Sequence, residues 1–208
     1  MITIDWSIYN KYRKEYLPIN SFHLIPIKSK NSFELARKKI GNESSVLDFG
    51  ASDKHFKKYC DKKNHKLKKY KTIDIDKNVN PDFLSLDKVK EKFDYMTMFS
   101  AIEHIKFDDV LKILKKSSEK ASNIIITTNN IYYPLWGFFD DITHVQTYSA
   151  RSIYAILKIS GYTDIKIYRN FEKNMMPTII KKLISRITNQ DFCGNIIAIA
   201  KNRKEAKK

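Results

Sequence analysis

Short apolar runs alternate with helical segments along most of this 208-residue chain, and this pattern constrains the fold most strongly. The runs are predicted to be strands because each is short, apolar and bounded by turn-forming or polar residues. They are residues 46–49, 70–74, 81–84, 93–99, 123–127, 164–168 and 195–200. Strands that alternate with helices form a mostly parallel sheet with helices on both faces. Because no ordinary crossover helix separates the last two runs, we expect an antiparallel last strand.

Composition excludes several classes of protein. With 42% hydrophobic residues and only five glycines and five prolines, the chain is neither collagen-like nor disordered. Two cysteines, Cys60 and Cys193, are too few for a disulfide scaffold or a cysteine-ligated zinc site, and they fit a reducing compartment. No secretory signal pattern or membrane-spanning run of ~18 apolar residues is present. We therefore expect a cytoplasmic protein.

The formal net charge of +16 favours anionic partners. Lysine supplies most of this charge, and arginine occurs only six times. Specific recognition of bases and phosphates relies strongly on the planar fork of arginine. Nucleic acid is therefore a possible partner but a less favoured one than a small-molecule or lipid-linked substrate.

The turn after the first predicted strand indicates a ligand site. Ligands of parallel sheets bind beyond the carboxyl ends of the strands, and Val46-Leu-Asp-Phe-Gly50 places a glycine at such an end. Asp74 follows 24 residues later at the end of the second strand, where a carboxylate can bind ribose hydroxyls. A dinucleotide would need G-x-G-x-x-G, of which only the first glycine is present. A dinucleotide cofactor is therefore not expected.

Five motifs in register resemble the class I S-adenosylmethionine-dependent methyltransferases, closest in look to those of glycan, lipid and quinone biosynthesis. The motifs are Val46–Gly50, Asp74, Phe93-Asp94, Ala101-Ile-Glu-His104 and Asp141-Ile-Thr-His144. The resemblance implies a Rossmann-like α/β fold with a mostly parallel seven-stranded sheet, helices on both faces and an antiparallel last strand. It also implies S-adenosyl-L-methionine as cofactor. We expect an aromatic N-terminal cap and leading helix at 1–44, the methyltransferase domain at 45–200 and a basic tail at 201–208.

By this resemblance, the cofactor residues lie in the first two strand-end turns and after the fourth strand. Gly50 and Ala51 would line the methionine moiety, and Asp48 would order its amino group through water. Asp74 would hold the ribose, and Ser100 is also counted as cofactor-binding. The family's G-x-G-x-G here reads Gly50-Ala-Ser-Asp-Lys54, so two glycines are replaced. A non-catalytic binding module is therefore an alternative.

The predicted catalytic residues lie in two segments that contain histidine. Glu103 and His104 follow the fourth predicted strand, and His144 lies in the loop after the fifth, so the two segments could face each other. Methyl transfer requires alignment, and an oxygen acceptor must also lose a proton. We predict His144 as the base, supported by Glu103 and His104. The alternative is structural: an acid that favours a helix start and a hydrogen-bonded histidine.

No metal is expected at these histidines. In quinone O-methyltransferases and small-RNA terminal methyltransferases, E-x-x-E-H with further residues binds a divalent metal. Here Ser100 stands at the position of the first acid, so one ligand is missing.

Two further segments bear on the substrate. The aromatic loop 131–139, with Trp6, Tyr9 and Tyr12, could roof the cleft and stack on sugar rings, or form a satellite core. Segment 177–187 is an amphipathic basic helix that could make peripheral membrane contact or pack on the protein body. We therefore predict O-methylation of a small or lipid-linked glycan-type acceptor. An RNA-directed methyltransferase is the alternative, and the oligomeric state is not indicated.

Overall fold

A six-stranded sheet forms the centre of the computed structural model, which describes residues 5–16, 24–27, 31–133, 138, 140–170 and 178–203. The strands are β1 (Ser45–Phe49), β2 (Lys69–Ile73), β3 (Phe93–Phe99), β4 (Ala121–Asn129), β5 (Tyr162–Asn170) and β6 (Asn195–Asn202). Their order is β2-β1-β3-β4-β6-β5. The pairs among β1 to β4 are parallel, and β6 runs antiparallel to both β4 and β5. The α/β class and the antiparallel last strand are confirmed.

The predicted strand at 81–84 is wrong, so the described sheet has six strands rather than seven. Phe83 makes only an isolated parallel bridge to Ile73. Pro81 has no backbone N–H to donate to a neighbouring strand. The Asp82 carboxylate accepts the Thr72 N–H at 2.9 Å, where a strand would offer a backbone carbonyl. A side chain thus satisfies the edge of β2 and ends the pairing after one bridge.

Helices cover both faces of the sheet. One face carries α1 (Trp6–Tyr16), α4 (Phe107–Lys120) and α5 (Ala150–Ile159), and the other carries α2 (Ser32–Lys39) and α3 (His55–Lys62). The alternation of strand side chains separates the two cores: Ile124 and Ile126 of β4 join the first, and Ile125 joins the second. A further helix, α6 (Thr178–Thr188), lies between β5 and β6 in the chain.

Local sequence explains where the helices begin. Asp108 and Asp109 occupy the first turn of α4, where negative charge favours the helix dipole. The Ser149 side chain accepts the Ser152 N–H and the Ser152 hydroxyl accepts the Ser149 N–H, a capping box that starts α5. Between β3 and α4 the chain forms a 3₁₀ turn at Ile102–His104.

The N-terminal residues contact the sheet layers at several places. Tyr16 of α1 stacks on Tyr154 of α5 with ring centroids 4.6 Å apart, and Arg151 Nε donates to the Arg13 carbonyl at 2.9 Å. Ile27 makes a parallel bridge to Arg169 of β5. Helix α1 therefore packs on one face and Ile27 extends one edge, while α2 packs on the opposite face; the boundary at residue 44 stays a prediction.

Within the described residues, none of the helices combines the length and the apolar character that crossing a bilayer requires.

Candidate functional site

A cavity of about 600 Å³ opens at the carboxyl ends of β1, β3 and β4. Its wall includes four residues that the sequence assigned to the cofactor, namely Asp48, Gly50, Ala51 and Ser100. Small-molecule sites typically enclose ~300–1,000 Å³ and, in open α/β sheets, lie beyond the carboxyl ends of the strands. The structure therefore brings these four residues together at a cavity of suitable size and place.

Gly50 turns the chain at a point where no other residue fits. Its φ is +68°, and a Cβ added there would lie 2.8 Å from the Ala101 Cβ. Its N–H donates to the Ile73 carbonyl at 2.8 Å, which ties the turn to the end of β2. The glycine thus brings backbone from three strand ends together at the cavity wall.

The two positions where glycines are replaced keep a left-handed backbone. Ser52 has φ +42° and Lys54 has φ +58°, a region that glycine enters at no steric penalty. The Asp74 carboxylate accepts the Ser52 N–H at 2.9 Å and so holds this turn. In the described part of the chain, Asp74 is not among the residues that line the cavity, although Ser52 is. Asp74 therefore contributes to the cavity indirectly, because it holds the turn that contains Ser52.

Asp48 is a buried carboxyl at the base of the cavity. Thr97 Oγ1 donates to it at 2.7 Å, and the Tyr70 hydroxyl donates to its other oxygen. Burial raises the pKa of Asp48 to about 6, and the two hydrogen bonds oppose that rise only partly. A positively charged ligand group beside it would favour the ionised form.

A second cluster joins His104, Asp141 and His144. One side-chain nitrogen or oxygen of each lies within 4.8 Å of the others. The two imidazole centroids are 4.6 Å apart, and His144 Nε2 lies 3.7 Å from Asp141 Oδ2. The segment after β3 and the loop after β4 thus meet, as the sequence suggested. The described residues that line the cavity do not include these three, but Ser100–His104 connects the two places.

Hydrogen bonds fix the tautomers of both histidines when they are neutral. His144 Nδ1 lies 2.9 Å from the Phe138 carbonyl, which can only accept, so Nδ1 carries the proton. The Thr143 hydroxyl donates to Asp141 and therefore accepts from His104 Nδ1 at 2.8 Å. Each ring keeps an Nε2 lone pair that can accept a proton.

Glu103 is fully buried beside these histidines. Its side chain is 0% exposed, and neither carboxylate oxygen has a hydrogen-bond partner among the described residues. Burial raises its pKa, and its own backbone N–H and the nearby Thr128 hydroxyl, followed by His104 and His144, oppose that rise only partly. Its backbone carbonyl accepts the Val145 N–H at 2.9 Å. The Glu103 backbone therefore holds the loop at Val145, and the Glu103 side chain stays buried beneath that loop.

The histidine cluster also has the chemistry of a metal site. Two imidazole nitrogens and one carboxylate oxygen are a ligand set that divalent transition metals accept. Asp141 is not part of the E-x-x-E-H pattern, but the chain turn at Asp141–His144 brings it beside both rings. These three residues could hold a cation, and the expectation of no metal stays a prediction.

Sequence reasoning missed several residues of the cavity wall. Asn31 at the start of α2, Asn170 at the end of β5 and Asn195 at the start of β6 all line it. Each is a single asparagine outside any motif, so only the folded sheet reveals that they converge. Asp141 and Thr143 carried a signal, because they belong to the Asp141-Ile-Thr-His144 motif.

Comparisons with known proteins give one family and a group of similar folds. A family model described as a methyltransferase domain matches residues 26–167. A SAM dependent methyltransferase from Archaeoglobus fulgidus is similar in structure, with 19% identity and a TM-score of 0.63, over 82% of this chain and 94% of that one. A search of curated proteins by sequence found no match.

Two other solved structures are similar over most of this chain. The small RNA methyltransferase HEN1 has 14% identity and a TM-score of 0.62, over 82% of this chain but only 24% of HEN1. Phosphoethanolamine N-methyltransferase 2 of Haemonchus contortus, solved with S-adenosyl-L-methionine, has 12% identity and a TM-score of 0.59, over 97% and 60% of the two chains. At these identities the likeness shows the fold.

Proposed function

The chain belongs to the class I S-adenosylmethionine-dependent methyltransferases, and we propose that it methylates a hydroxyl of a small or lipid-linked glycan-type acceptor. One observation carries the proposal. His144 presents an Nε2 lone pair next to the segment that also forms the wall of the cofactor cavity. A hydroxyl acceptor needs such a proton acceptor at its side.

The cavity residues fit the cofactor. Gly50 and the small Ala51 line the cavity, so a ligand would lie against the backbone of this turn. Asp48 offers a buried carboxyl for the amino group of a methionine moiety, and Ser100 closes the wall from β3. Asp74 would keep the Ser52 turn in place and bind the ribose. S-adenosyl-L-methionine supplies an electrophilic methyl group on a sulfonium, so these residues have only to bind and orient it.

The histidine cluster would act on the acceptor. His144 Nε2 accepts the proton of the acceptor hydroxyl, while its Nδ1–H stays bonded to the Phe138 carbonyl. Asp141, 3.7 Å away, stabilises the imidazolium that forms. His104 and Glu103 are positioning residues, because one bonds the Thr143 hydroxyl and the other holds the loop backbone.

Aromatic residues of the same loop support a glycan as the acceptor. Phe138 stacks on the His144 ring at a centroid distance of 4.7 Å, and Tyr133 is exposed nearby in sequence. Phe138 is buried, whereas Tyr133 is 37% exposed and offers an aromatic face on which a sugar ring could stack. Residues 134–137 and 139 of the proposed aromatic roof lie outside the described residues. Tyr9 does not contribute to a roof, because it is buried in the main core against Phe107.

Methyl transfer to RNA is the second candidate function, and the net charge of +16 favours it. A basic surface binds polyanions with an affinity that falls steeply as salt rises.

The deciding experiment measures transfer of a labelled methyl group from S-adenosyl-L-methionine to soluble glycans, lipid-linked glycans and RNA, at low and moderate salt. We expect transfer to a glycan hydroxyl that changes little with salt. Transfer to RNA alone, suppressed steeply by salt, would favour the second candidate. Absence of cofactor binding by calorimetry in the folded protein would overturn both.

A further inference from the structure

We propose that α6 lies on an anionic membrane surface, with a stripe of four apolar side chains inserted among the lipid headgroups. The stripe consists of Ile179, Ile180, Leu183 and Ile187, whose exposed fractions range from 43 to 80%. Large aliphatic side chains scattered singly on a surface need no explanation, whereas four on one helix form a contiguous apolar patch.

The helical geometry directs this stripe away from the protein. At 3.6 residues per turn, the four side chains fall within an arc of about 100°. Ser185 points in the opposite direction and is buried. Ile184 is half-buried at the border of the stripe, and Ile179 completes the exposed part. The helix thus docks on the protein through one side and presents its apolar side outward.

The end of α6 is fixed to the sheet. Asp191, three residues beyond the helix, is buried and forms an ion pair with Arg169 at 2.8 Å. Asn130 Nδ2 donates to the same carboxylate at 2.9 Å, and the Asp191 N–H donates to the Tyr132 carbonyl at 2.7 Å. These bonds hold the helix terminus against the ends of β4 and β5, so the stripe is presented from a firm base.

Charge identifies the occupant as anionic lipid. The helix contains Lys181, Lys182 and Arg186 and no acidic residue, and Arg186 lies about 20° outside the apolar arc. An exposed basic residue beside an apolar stripe, on a helix without acidic residues, is typical of helices that lie in the membrane interface. A second copy of the chain would carry the same net charge of +16, so the two copies would repel each other.

The chain connection that contains α6 starts and ends at residues of the cavity wall. Asn170 ends β5 and Asn195 begins β6, and both line the cavity, while α6 belongs to the connection between them. Where the proposed function holds, this arrangement would bring a lipid-linked acceptor to the cavity from the membrane. Membrane binding itself needs neither cofactor nor acceptor, so it can be tested separately.

The test is co-sedimentation of the full chain with vesicles, without cofactor. We expect binding to vesicles containing about one-third phosphatidylglycerol, little binding to pure phosphatidylcholine, and release in about 1 M NaCl, where screening acts beyond ~3 Å. Ile187→Glu should weaken the partition by about tenfold or more, since it removes apolar contact and adds a repelled charge. Ile75→Glu is the matched control, because Ile75 is 88% exposed outside the helix and the charge change is equal.

Circular dichroism of both variants confirms that they are folded. Equal binding to the two kinds of vesicle, or equal loss of binding in both variants, would overturn the proposal. So would a dimer in solution that Ile187→Glu dissociates, because the stripe would then be covered by a second copy. A protein that binds vesicles but transfers no methyl group would contradict the proposed function alone.

Discussion

At the scale of single residues, His144 has one ring nitrogen bonded to the fold and the other available for proton transfer. We expect His144→Ala to lower kcat by roughly 10²–10⁴-fold, the usual contribution of a general base. Cofactor affinity measured by calorimetry should hardly change, because His144 is not among the described residues of the cavity wall. Unchanged turnover would mean that the ring only fastens its loop to Phe138. Joint loss of folding and cofactor binding would show a structural role.

Asp48 gives the protein a stability that depends on pH. Its pKa rises from 3.8 to about 6 on folding, so the unfolded chain releases this proton at lower pH than the folded chain. Stability is therefore lost as pH rises from about 4 to about 6, by up to ~3 kcal/mol. Urea unfolding of Asp48→Asn should lack this loss, whereas the exposed control Asp53→Asn should keep it. Parallel pH profiles of wild type and Asp48→Asn would contradict the assignment.

Residues of the candidate site could be predicted from the sequence only where they belong to motifs. Gly50 and Ser100 could be placed because they follow apolar strands, and the cavity wall contains both. The contribution of Asp141 could not, because its approach to His104 depends on how a loop folds over another strand end. The cavity asparagines, Asn170 and Asn195, come from strands that are adjacent only in the folded sheet.

At the scale of elements, the turn from β1 into α3 carries backbone strain at Lys54. Its φ of +58° costs a side-chain-bearing residue ~1–2 kcal/mol, of which the greater freedom of unfolded glycine offsets a part. Lys54→Gly should therefore raise the free energy of unfolding by about 0.5–1 kcal/mol. Lys58→Gly, the same change at an exposed position inside α3, should lower it by about 1 kcal/mol. Equal effects of the two changes would refute strain at Lys54.

The same turn admits no side chain at Gly50. Gly50→Ala would place a Cβ 2.8 Å from Ala101 Cβ at a left-handed φ, so the strand ends would have to separate. We expect a loss of about 2 kcal/mol or more in unfolding free energy and a measurable loss of cofactor affinity. Gly194→Ala is the control, because an added Cβ there meets no atom within 4 Å. Equal stability of the two variants would contradict the close approach.

Elements were predictable where local pattern and tertiary environment agree. The strand at 93–99 has the bounds that the alternating sequence indicated, because both of its faces are covered. The run at 81–84 failed because Pro81 and Asp82 have local chemistry that competes with strand pairing. A short apolar run does not distinguish a strand from a single bridge. The difference depends on whether a backbone carbonyl or a side chain accepts the N–H of the neighbouring strand.

At the scale of the whole molecule, the charge of +16 should destabilise the compact state at low ionic strength. The Debye length falls from ~30 Å at 0.01 M salt to ~10 Å at 0.1 M, so salt should screen this repulsion. We expect the Tm to rise by about 2–4 °C over that range, which corresponds to about 1 kcal/mol for a chain of this size. Thermal melts in NaCl and KCl should agree, because screening depends on ionic strength. A falling Tm would mean that surface ion pairs such as Lys116–Asp87 outweigh the repulsion.

The position of β6 between β4 and β5 has a consequence for how the chain is made. Strands β4 and β5 do not pair with each other, and each pairs with β6 instead. Strand β6 is the last strand of the sheet to be synthesised. A ribosome-bound chain that has not yet reached Asn195 carries two unpaired strand edges, at β4 and at β5. Unpaired strand edges can pair with other chains. Nascent chains on one polysome are therefore most prone to aggregate, and to bind chaperones, before β6 has inserted between β4 and β5.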